Sequence, residues 1–362
     1  MIVGLRRRFY YGWLVVAAAG GIEFANAATA IGVLTVFVNP MTEEFGWSRT
    51  QISGATSLGA LLGASLAPFT GRLVDRKGSR LILAVGGVVV ALACLYLASM
   101  QTLLGFYVAF TVARIADQGL IKIGAPAAAG KWFERYRGRA ISLVFFAGSG
   151  GIILLAPVVQ FVIDVWGWRM AWLLLAGLML ALGVVPSSLV IRRQPEDLGL
   201  EVDGAPAQDP NPASAAPDSP IPQSNWPLGA VIRTPAFWLI LVALFVAGIA
   251  TSGITLHLVP HLTQLGLSNR AAVGVISLAS ASSAVGILGL GFLADRVSPR
   301  LLMAVVSLAT AGSIGVLLRA DTPAEAYSFA VLYGVSSGGF NTLAPVLWAS
   351  YYGRGSWGPY MD

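Results

Sequence analysis

Apolar runs of about 20 residues recur along the whole of this 362-residue chain, and they limit its possible folds more than any other feature. A helix of about 20 apolar residues crosses the hydrocarbon layer of a bilayer, which is about 30 Å thick. Only 11% of the residues are charged and 56% are hydrophobic, whereas soluble domains carry roughly 25% charged residues. The sequence therefore predicts an all-α, polytopic membrane protein.

Ten apolar stretches predict ten transmembrane helices. Between the sixth and the seventh lies a segment rich in Pro, Ala, Ser and Asp, whose composition cannot bury a core. We expect a six-helix bundle over 1–192, a flexible cytoplasmic linker over 193–230 and a C-terminal bundle of four helices over 231–362. The helices are predicted at about 11–38, 48–70, 80–99, 103–129, 139–163, 169–191, 232–258, 270–292, 301–318 and 324–350.

Basic residues lie mainly in alternate loops, and this asymmetry predicts the orientation of the helices. Of the 23 Lys and Arg residues, seventeen fall at one end of the predicted helices and four at the other, while Arg114 and Lys122 fall inside a span. Basic loops stay on the cytoplasmic side of a membrane. We therefore expect a protein of the inner cell membrane whose N-terminus and linker are cytoplasmic. The seventeen are Arg6, Arg7, Arg8, Arg72, Arg76, Lys77, Arg80, Lys131, Arg135, Arg137, Arg139, Arg192, Arg193, Arg233, Arg296, Arg300 and Arg354.

Several functional classes are excluded by what the sequence lacks. Its one cysteine, Cys94, lies in an apolar run, so neither a disulfide framework nor a cysteine metal site is expected. There is no phosphate-binding loop of the Walker type and no nucleophile elbow. The basic residues follow the membrane loops rather than forming a patch for nucleic acid. We expect no cofactor, no metal, no nucleic acid partner and no enzymatic activity.

A shift of 220 residues aligns the chain with itself without a gap. Over residues 40–85, 15 of 46 positions are then identical, among them Pro40 with Pro260 and Gly54 with Gly274. Because the shift spans an even number of predicted helices, both copies cross the membrane in the same direction. The sequence therefore predicts two parallel repeats.

A charged loop interrupts the apolar sequence once in each copy, as GRLVDRKGSR at 71–80 and GFLADRVSPR at 291–300. Glycine permits close approach of two backbones, and aspartate accepts hydrogen bonds from free N–H groups at a helix N-terminus. Ordinary basic loops would explain the arginines, but not the same residues at the same spacing twice. The predicted gating residues are Gly71, Asp75, Arg76, Arg80, Gly291, Asp295, Arg296 and Arg300.

The pattern G-x-L-x-D-R-x-x-x-R, which follows the second and the eighth predicted helices, resembles the cytoplasmic loop motif of the major facilitator superfamily. GWRMAWLLL at 167–175 is similar to that superfamily too. FYYGWLVV, FVNPMTEEFGWSRTQIS at 37–53 and QPEDLGLEVDG at 194–204 resemble its monocarboxylate transporter and oxalate/formate antiporter branch. The resemblance implies the major facilitator fold and secondary transport of an organic anion by alternating access.

Members of that superfamily normally have twelve spans, whereas the tenth predicted span here is followed by SYYGRGSWGPYMD. We therefore expect a C-terminally truncated version of the fold, two parallel repeats of six helices with the last two helices missing. The resemblance implies that Asp75 approaches the eleventh helix and that Asp295 approaches the fifth.

Charged residues inside a span are costly, by about 2.5 to 3.5 kcal/mol each on insertion scales, so each is a candidate for function. The first and the fourth predicted helices carry them. On a regular helix the polar residues of the fourth would share one face. The candidates for a substrate and proton cavity are Glu23, Asn26, Arg114, Asp117, Gln118 and Lys122.

Two interpretations of these candidates remain open. In the first, Arg114 and Asp117 only satisfy each other or pair with Glu23. Lys122 then extends toward the cytoplasmic interface. In the second, which the resemblance favours, Arg114 binds a substrate carboxylate and either Glu23 or Asp117 exchanges a proton.

Together, the sequence and the resemblance predict a secondary transporter of a small solute, a monocarboxylate or related organic anion, by proton symport or exchange. We expect a monomer in the lipid bilayer whose partner is that small-molecule substrate. The alternative is a non-transporting, truncated membrane fragment or scaffold.

Overall fold

The computed structural model describes residues 10–204, 228–264, 267, 269–320 and 322–352, and every regular element in these ranges is a helix. A 3₁₀ turn at Asn26–Thr29 separates α1 from α2, and π turns separate α5 from α6 and α8 from α9. The helices are α1 (Gly12–Ala25), α2 (Ile31–Phe45), α3 (Arg49–Lys77), α4 (Ser79–Ser99), α5 (Leu103–Ala116), α6 (Lys122–Trp132), α7 (Arg137–Trp166), α8 (Trp168–Leu178), α9 (Val185–Val190), α10 (Leu228–Ile232), α11 (Pro235–Gln264), α12 (Asn269–Ala294), α13 (Pro299–Leu318) and α14 (Pro323–Tyr352).

Within the described ranges, eight helical stretches are long and apolar enough to cross a membrane. They correspond to the first six predicted spans and to the eighth and ninth. The seventh, α11, contains a shorter apolar stretch, Pro235–Thr251. The tenth, α14, has 30 residues but includes the small and polar run SSGGFNT at 336–342. Each predicted span thus coincides with helix, and the all-α membrane architecture is confirmed.

The first span is longer than predicted because its helix continues past the apolar residues. The sequence predicts an end near residue 38, but α2 runs through the polar sequence MTEEF to Phe45. Gly46 ends it with a left-handed backbone, φ 71°, which glycine adopts without strain. Ser48 and Gln51 then form a capping box at the start of α3, each side chain accepting a hydrogen bond from the other's N–H.

The described residues fall into two compact units. The first comprises residues up to 134 and 143–204, and the second comprises residues 135–142 together with those from 228 to 352, so the first residues of α7 belong to it. The predicted linker, 193–230, lies largely outside the described residues. Its start belongs to the first unit, where the Asp203 carboxylate accepts a hydrogen bond from the Glu134 N–H at 3.1 Å. The boundaries at 192 and 231 stay predictions.

In the first unit the backbone of α1 lies very close to the backbones of two neighbouring segments. A Cβ atom on Gly151 would collide with the Phe24 carbonyl oxygen, and one on Gly21 would lie 2.6 Å from the Leu182 carbonyl oxygen. These contacts hold α1 against α7 and against the π turn that precedes α9. Small residues at such crossings are typical of membrane helices. As a result Glu23, on α1, is only 1% exposed.

In the second unit, α14 packs against α12 and α13. Phe329 and Tyr333 of α14 stack at 5.2 Å within an apolar cluster. A cavity of about 440 Å³ lies among α11, α13 and α14. Its walls are mainly apolar or hydroxylic, and residues from all three helices contribute, among them Ala243, Val246, Thr310, Ser337 and Asn341.

Candidate functional site

The six candidate residues of the first and fourth spans lie in two hydrogen-bonded groups inside the first unit. Four of them, Glu23, Asn26, Arg114 and Asp117, are at most 8% exposed. They come from short, adjoining pieces of the two spans: Glu23 lies on α1, Asn26 in the following 3₁₀ turn, Arg114 in the last turn of α5, Asp117 and Gln118 in the π turn, and Lys122 at the start of α6.

Asp117 is the centre of the first group. Its Oδ1 accepts a hydrogen bond from Asn26 Nδ2 at 2.6 Å. Its Oδ2 accepts from Arg114 Nη1 at 2.6 Å and from Gln118 Nε2 at 2.8 Å. Both carboxylate oxygens are therefore occupied. Charge-assisted hydrogen bonds of this kind compensate for the loss of water around a buried ion.

The break between α1 and α2 supplies a further partner to this group. The chain leaves the helical conformation at Ala30, with φ −68° and ψ 145°. A carbonyl group at the end of a helix has no partner within the helix. The Thr29 carbonyl oxygen accepts a hydrogen bond from Arg114 Nη1 at 3.3 Å. The Arg114 guanidinium thus ties the fourth span to the first.

Glu23 and Lys122 form the second group. Lys122 Nζ donates a hydrogen bond to Glu23 Oε2 at 2.6 Å. The Glu23 side chain is fully buried, whereas 39% of the Lys122 side chain is exposed. An ammonium group has three protons to donate, and Glu23 is its one hydrogen-bond partner among the described residues. This pair is therefore less enclosed than the group around Asp117.

Three buried polar atoms of the cluster have no hydrogen-bond partner within the described ranges: Glu23 Oε1, Asn26 Oδ1 and Arg114 Nε. Buried polar atoms in folded proteins nearly always have one. On the side of α7 the neighbour of Glu23 is Gly148, where an added Cβ would lie 3.3 Å from Glu23 Oε2. The carboxylate of Glu23 thus keeps unused hydrogen-bonding capacity beside a residue without a side chain.

An irregular turn accounts for the direction of Lys122. The fourth span widens into a π turn at Asp117–Ile121, and the Lys122 N–H donates to the Asp117 carbonyl oxygen, five residues earlier. Such a turn inserts one residue and redirects those that follow, and it occurs often at functional sites. The polar residues are thus not on one face of a regular helix. Nor does Lys122 extend to the interface, since its ammonium points to Glu23 on α1.

Asp75, in the first charged loop, is bound within the first unit. Lys131 Nζ lies 3.4 Å from its Oδ1, and Arg193 Nη2 donates to its carbonyl oxygen at 2.8 Å. Neither partner is predicted from the sequence, although both are basic residues at predicted helix ends. Of the other predicted gating residues here, Gly71 is buried, and Arg76 and Arg80 are exposed.

Asp295, in the second charged loop, caps the start of α7 within the second unit. Its Oδ1 accepts a hydrogen bond from the Gly138 N–H at 2.7 Å, and its Oδ2 lies 3.0 Å from Arg139 Nε. A carboxylate gains about 0.3 to 1 kcal/mol at a helix N-terminus. A Cβ on Gly291 would collide with Ser142, so glycine is needed for this approach.

The contact of Asp295 with the fifth span is the one that the resemblance implied, and its role in gating stays a prediction. The two arginines of the second loop are exposed, Arg296 and Arg300. The Arg300 guanidinium lies 4.1 Å from the centre of the Tyr351 ring. Contacts of this kind contribute about 0.5 to 1 kcal/mol at exposed sites.

The cluster is suited to binding ions and exchanging protons. It offers two cationic and two anionic groups, which can bind a carboxylate and hold a proton. Within the described ranges, no group of three or more His, Cys, Asp or Glu residues could hold a metal ion. Cys94 is buried and lies outside the cluster.

Comparison with known proteins gives a family and several relatives. The family model of the Major Facilitator Superfamily matches residues 20–358. Monocarboxylate transporter 11 of Mus musculus is 28% identical over 348 residues, which cover 92% of this chain and 72% of that protein. The oxalate:formate antiporter of Oxalobacter formigenes is 24% identical over 244 residues, 67% of this chain and 53% of that protein.

Among solved structures, the proton:xylose symporter XylE bound to 6-bromo-6-deoxy-D-glucose is similar to this chain. The TM-score is 0.63 at 16% sequence identity, and the match covers 96% of this chain and 84% of that one. At this identity the likeness shows the fold alone. Together the matches confirm the major facilitator fold and the resemblance to the monocarboxylate and oxalate/formate branch.

Proposed function

This chain belongs to the Major Facilitator Superfamily, and on that premise we propose that it carries a small organic anion, a monocarboxylate or a related carboxylate. The chain is a multi-pass membrane protein of a transporter family, not an enzyme. The proposed mechanism is proton symport or anion exchange with alternating access. The proposed carrier acts as a monomer.

The buried charged cluster is the observation that carries the proposal. Removing a charged group from water costs several kcal/mol even after relaxation of the protein, and charged residues within spans are candidates for substrate or proton sites. Arg114 and Lys122 are cations of the kind that bind a carboxylate, and Glu23 and Asp117 can take up a proton. Two relatives are named for carboxylates, as a monocarboxylate transporter and an oxalate:formate antiporter.

The two charged loops are the proposed control points of the conformational change. The side chain of Asp295 reaches the Gly138 N–H in the first turn of α7, and that of Asp75 reaches Lys131 at the end of α6. Each contact joins two helices at the end of the spans that we propose to be cytoplasmic. Breaking either contact would change the balance between conformations without touching the substrate.

The proposed location is the inner cell membrane, with the N-terminus and the segment 193–230 in the cytoplasm. The seventeen basic residues at one end of the helices support this orientation. A reporter enzyme that works only in the cytoplasm should be active when it is fused within 205–227.

Uptake by the purified chain in liposomes tests the proposed function. We expect labelled formate, acetate, lactate or oxalate to accumulate when a proton gradient or an internal carboxylate is imposed. A matched control is Glu44→Gln, which removes an exposed ion pair with Arg169 at 2.6 Å and should leave uptake unchanged. Uptake that responds neither to the proton gradient nor to internal carboxylate would contradict the proposal.

The alternative, a membrane protein that does not transport, predicts a different pair of results. Under it the chain inserts stably and gives a cooperative unfolding curve, but liposomes that contain it take up no more carboxylate than empty ones. Specific uptake by the 362-residue chain would rule this alternative out.

A further inference from the structure

The two carboxylates of the charged cluster differ in their hydrogen bonds: both oxygens of Asp117 accept one, whereas Glu23 Oε1 has no partner within the described ranges. We propose that Lys122 is the residue that binds the substrate carboxylate and that Glu23 competes with the substrate for it. Asp117 and its partners instead hold the fourth span against the first. This division rests on the proposed function and assigns the role of each residue within it.

The Asp117 carboxylate and its Arg114 partner leave little charged surface accessible to a substrate. Each oxygen of its carboxylate already accepts at least one hydrogen bond, and the Arg114 side chain is only 10% exposed. Arg114 Nη1 also donates to the Thr29 carbonyl oxygen. A substrate that bound Arg114 here would have to separate it from a buried anion and from the backbone of the first span. Such a separation leaves an unpaired charge in the interior, which is strongly unfavourable.

The pair of Glu23 and Lys122 is open on one side. The Lys122 side chain is 39% exposed while that of its partner is fully buried, so we expect a solute to approach the pair from the side of Lys122. Glu23 presents to Lys122 the same chemical group that a carboxylate substrate would present. A substrate can therefore replace Glu23 at the ammonium with one charge-assisted hydrogen bond exchanged for another.

The displaced Glu23 then needs a proton. The charged group in contact with Glu23 is Lys122. Asp117 lies nearby on the fourth span, where it is paired with Arg114. The helical stretches packed against α1, residues 81–99, 143–163 and 170–190, contain no Asp, Glu, Lys, Arg or His. Once its ammonium partner has turned to the substrate, the buried carboxylate has no cation to stabilise it and takes up a proton.

The exchange of partners balances in charge. The substrate anion accepts a hydrogen bond from the Lys122 ammonium, and one proton from water converts the Glu23 carboxylate to the acid. On release the substrate leaves, Glu23 returns its proton to water and the ion pair forms again. One carboxylate and one proton thus move together. When a second anion replaces the first directly, Glu23 stays protonated and the step is exchange.

Amine labelling tests the binding step without any transport. The lysines of the chain are Lys77, Lys122 and Lys131, and peptide mass spectrometry distinguishes them, so the exposed Lys77 serves as an internal control. We expect saturating formate or lactate to slow the labelling of Lys122 several-fold relative to chloride and to leave Lys77 unchanged. In Glu23→Gln, labelling of Lys122 without carboxylate should be faster than in the natural chain. Equal labelling of Lys122 with and without carboxylate overturns the proposal.

Transport by matched variants tests the roles of the two residues. Glu23→Gln should keep carboxylate exchange and lose proton-driven accumulation. Lys122→Gln should raise the half-saturating carboxylate concentration by about tenfold or more, because a charge-assisted contact is lost. Lys122→Arg should recover part of it. Glu44→Gln, the same change from carboxylate to amide in an exposed pair, is the control.

The outcomes separate this inference from the proposed function. If the natural chain takes up no carboxylate, the proposed function fails, and protection of Lys122 from labelling still decides the binding role. If the natural chain transports and Lys122→Gln keeps its affinity, the inference fails and the proposed function stands. Proton-driven accumulation by Glu23→Gln would also overturn it.

Discussion

The fourth span of the chain and the tenth occupy corresponding positions in the two repeats, but one carries charged residues where the other carries small ones. With the shift of 220 residues, Gly54 and Tyr107 correspond to Gly274 and Tyr327, and in both copies a Cβ on the glycine would meet the tyrosine hydroxyl. The threonines that cap the two helices correspond as well, since Thr102 becomes residue 322. The two helices therefore begin at corresponding residues and meet the second span of their repeat through the same tyrosine contact.

At every position of the charged cluster, the corresponding residue of the second unit is of a different type. At the second-unit positions the chain has small, hydroxylic or apolar residues. Three of these positions line the 440 Å³ cavity, namely Ala243, Val246 and Ser337. The corresponding pairs are Glu23 and Ala243, Asn26 and Val246, Arg114 and Gly334, Asp117 and Ser337, Gln118 and Gly338, and Lys122 and Thr342.

The position of the glycines explains how the same fold accommodates long polar side chains in the fourth span and small ones in the tenth. In the first unit Gly59 and Gly63 lie on α3, facing Arg114 and Gln118 on the fourth span. At the corresponding crossings of the second unit the glycines are Gly334 and Gly338 of α14, which face Ala279 and Ser283 of α12. Each crossing needs one small partner. Because α3 supplies it in the first unit, the fourth span is free to carry long polar side chains, and the comparison teaches that the fold itself does not require them.

The largest effect should come from Asp117→Ala, compared with Ser337→Ala at the corresponding position. Loss of Asp117 leaves the Arg114 guanidinium buried without its counter-ion, which costs about 3 to 5 kcal/mol. Ser337 makes only a local hydrogen bond to the Gly334 carbonyl oxygen, so its loss should cost about 1 kcal/mol or less. Thermal unfolding in detergent, followed by tryptophan fluorescence, measures both. Equal losses of stability in the two variants would contradict the difference between the two positions.

Much of this architecture could be predicted from the sequence, because span length, alternate basic loops and a repeat are properties of the linear chain. The π turn at Asp117–Ile121 was not predictable, since it changes the direction of Lys122 by one inserted residue without any marker in composition. The extension of α2 to Phe45 was missed because helical structure does not end where apolarity does. The partners of Asp75 depend on contacts between residues distant in sequence.

A smaller effect on stability should follow from Gly334→Ala. This variant tests whether the glycine at the crossing of α12 and α14 must lie on α14. The new methyl group would collide with the Ala279 carbonyl oxygen, and overpacking of this kind costs about 1 to 3 kcal/mol. Gly177→Ala is the matched control, because nothing lies within 4 Å of a Cβ there. Alanine in a helix is preferred over glycine by about 1 kcal/mol, so the control should be stabilised. A stabilised Gly334→Ala would contradict the packing scheme.

The smallest effects should be those of the two caps, Thr102→Ala and Thr322→Ala. The Thr102 hydroxyl accepts from the Gly105 N–H at 3.1 Å and that of Thr322 from the Glu325 N–H at 3.4 Å. Loss of an N-cap costs about 1 kcal/mol, so both variants should lower the melting temperature by similar, small amounts. A large loss in one variant alone would show that the two helix starts are not equivalent.

The central claim is that the Glu23 and Lys122 pair serves transport rather than folding, and the double variant Glu23→Ala with Lys122→Thr tests it most directly. It installs at both positions the residues that the second unit has there. Replacing a buried ion pair as a whole is often neutral or stabilising. Measured on one preparation, the melting temperature should match that of the natural chain while proton-driven carboxylate uptake is lost. A double variant that unfolds as readily as Asp117→Ala, or that still accumulates carboxylate, would contradict the claim.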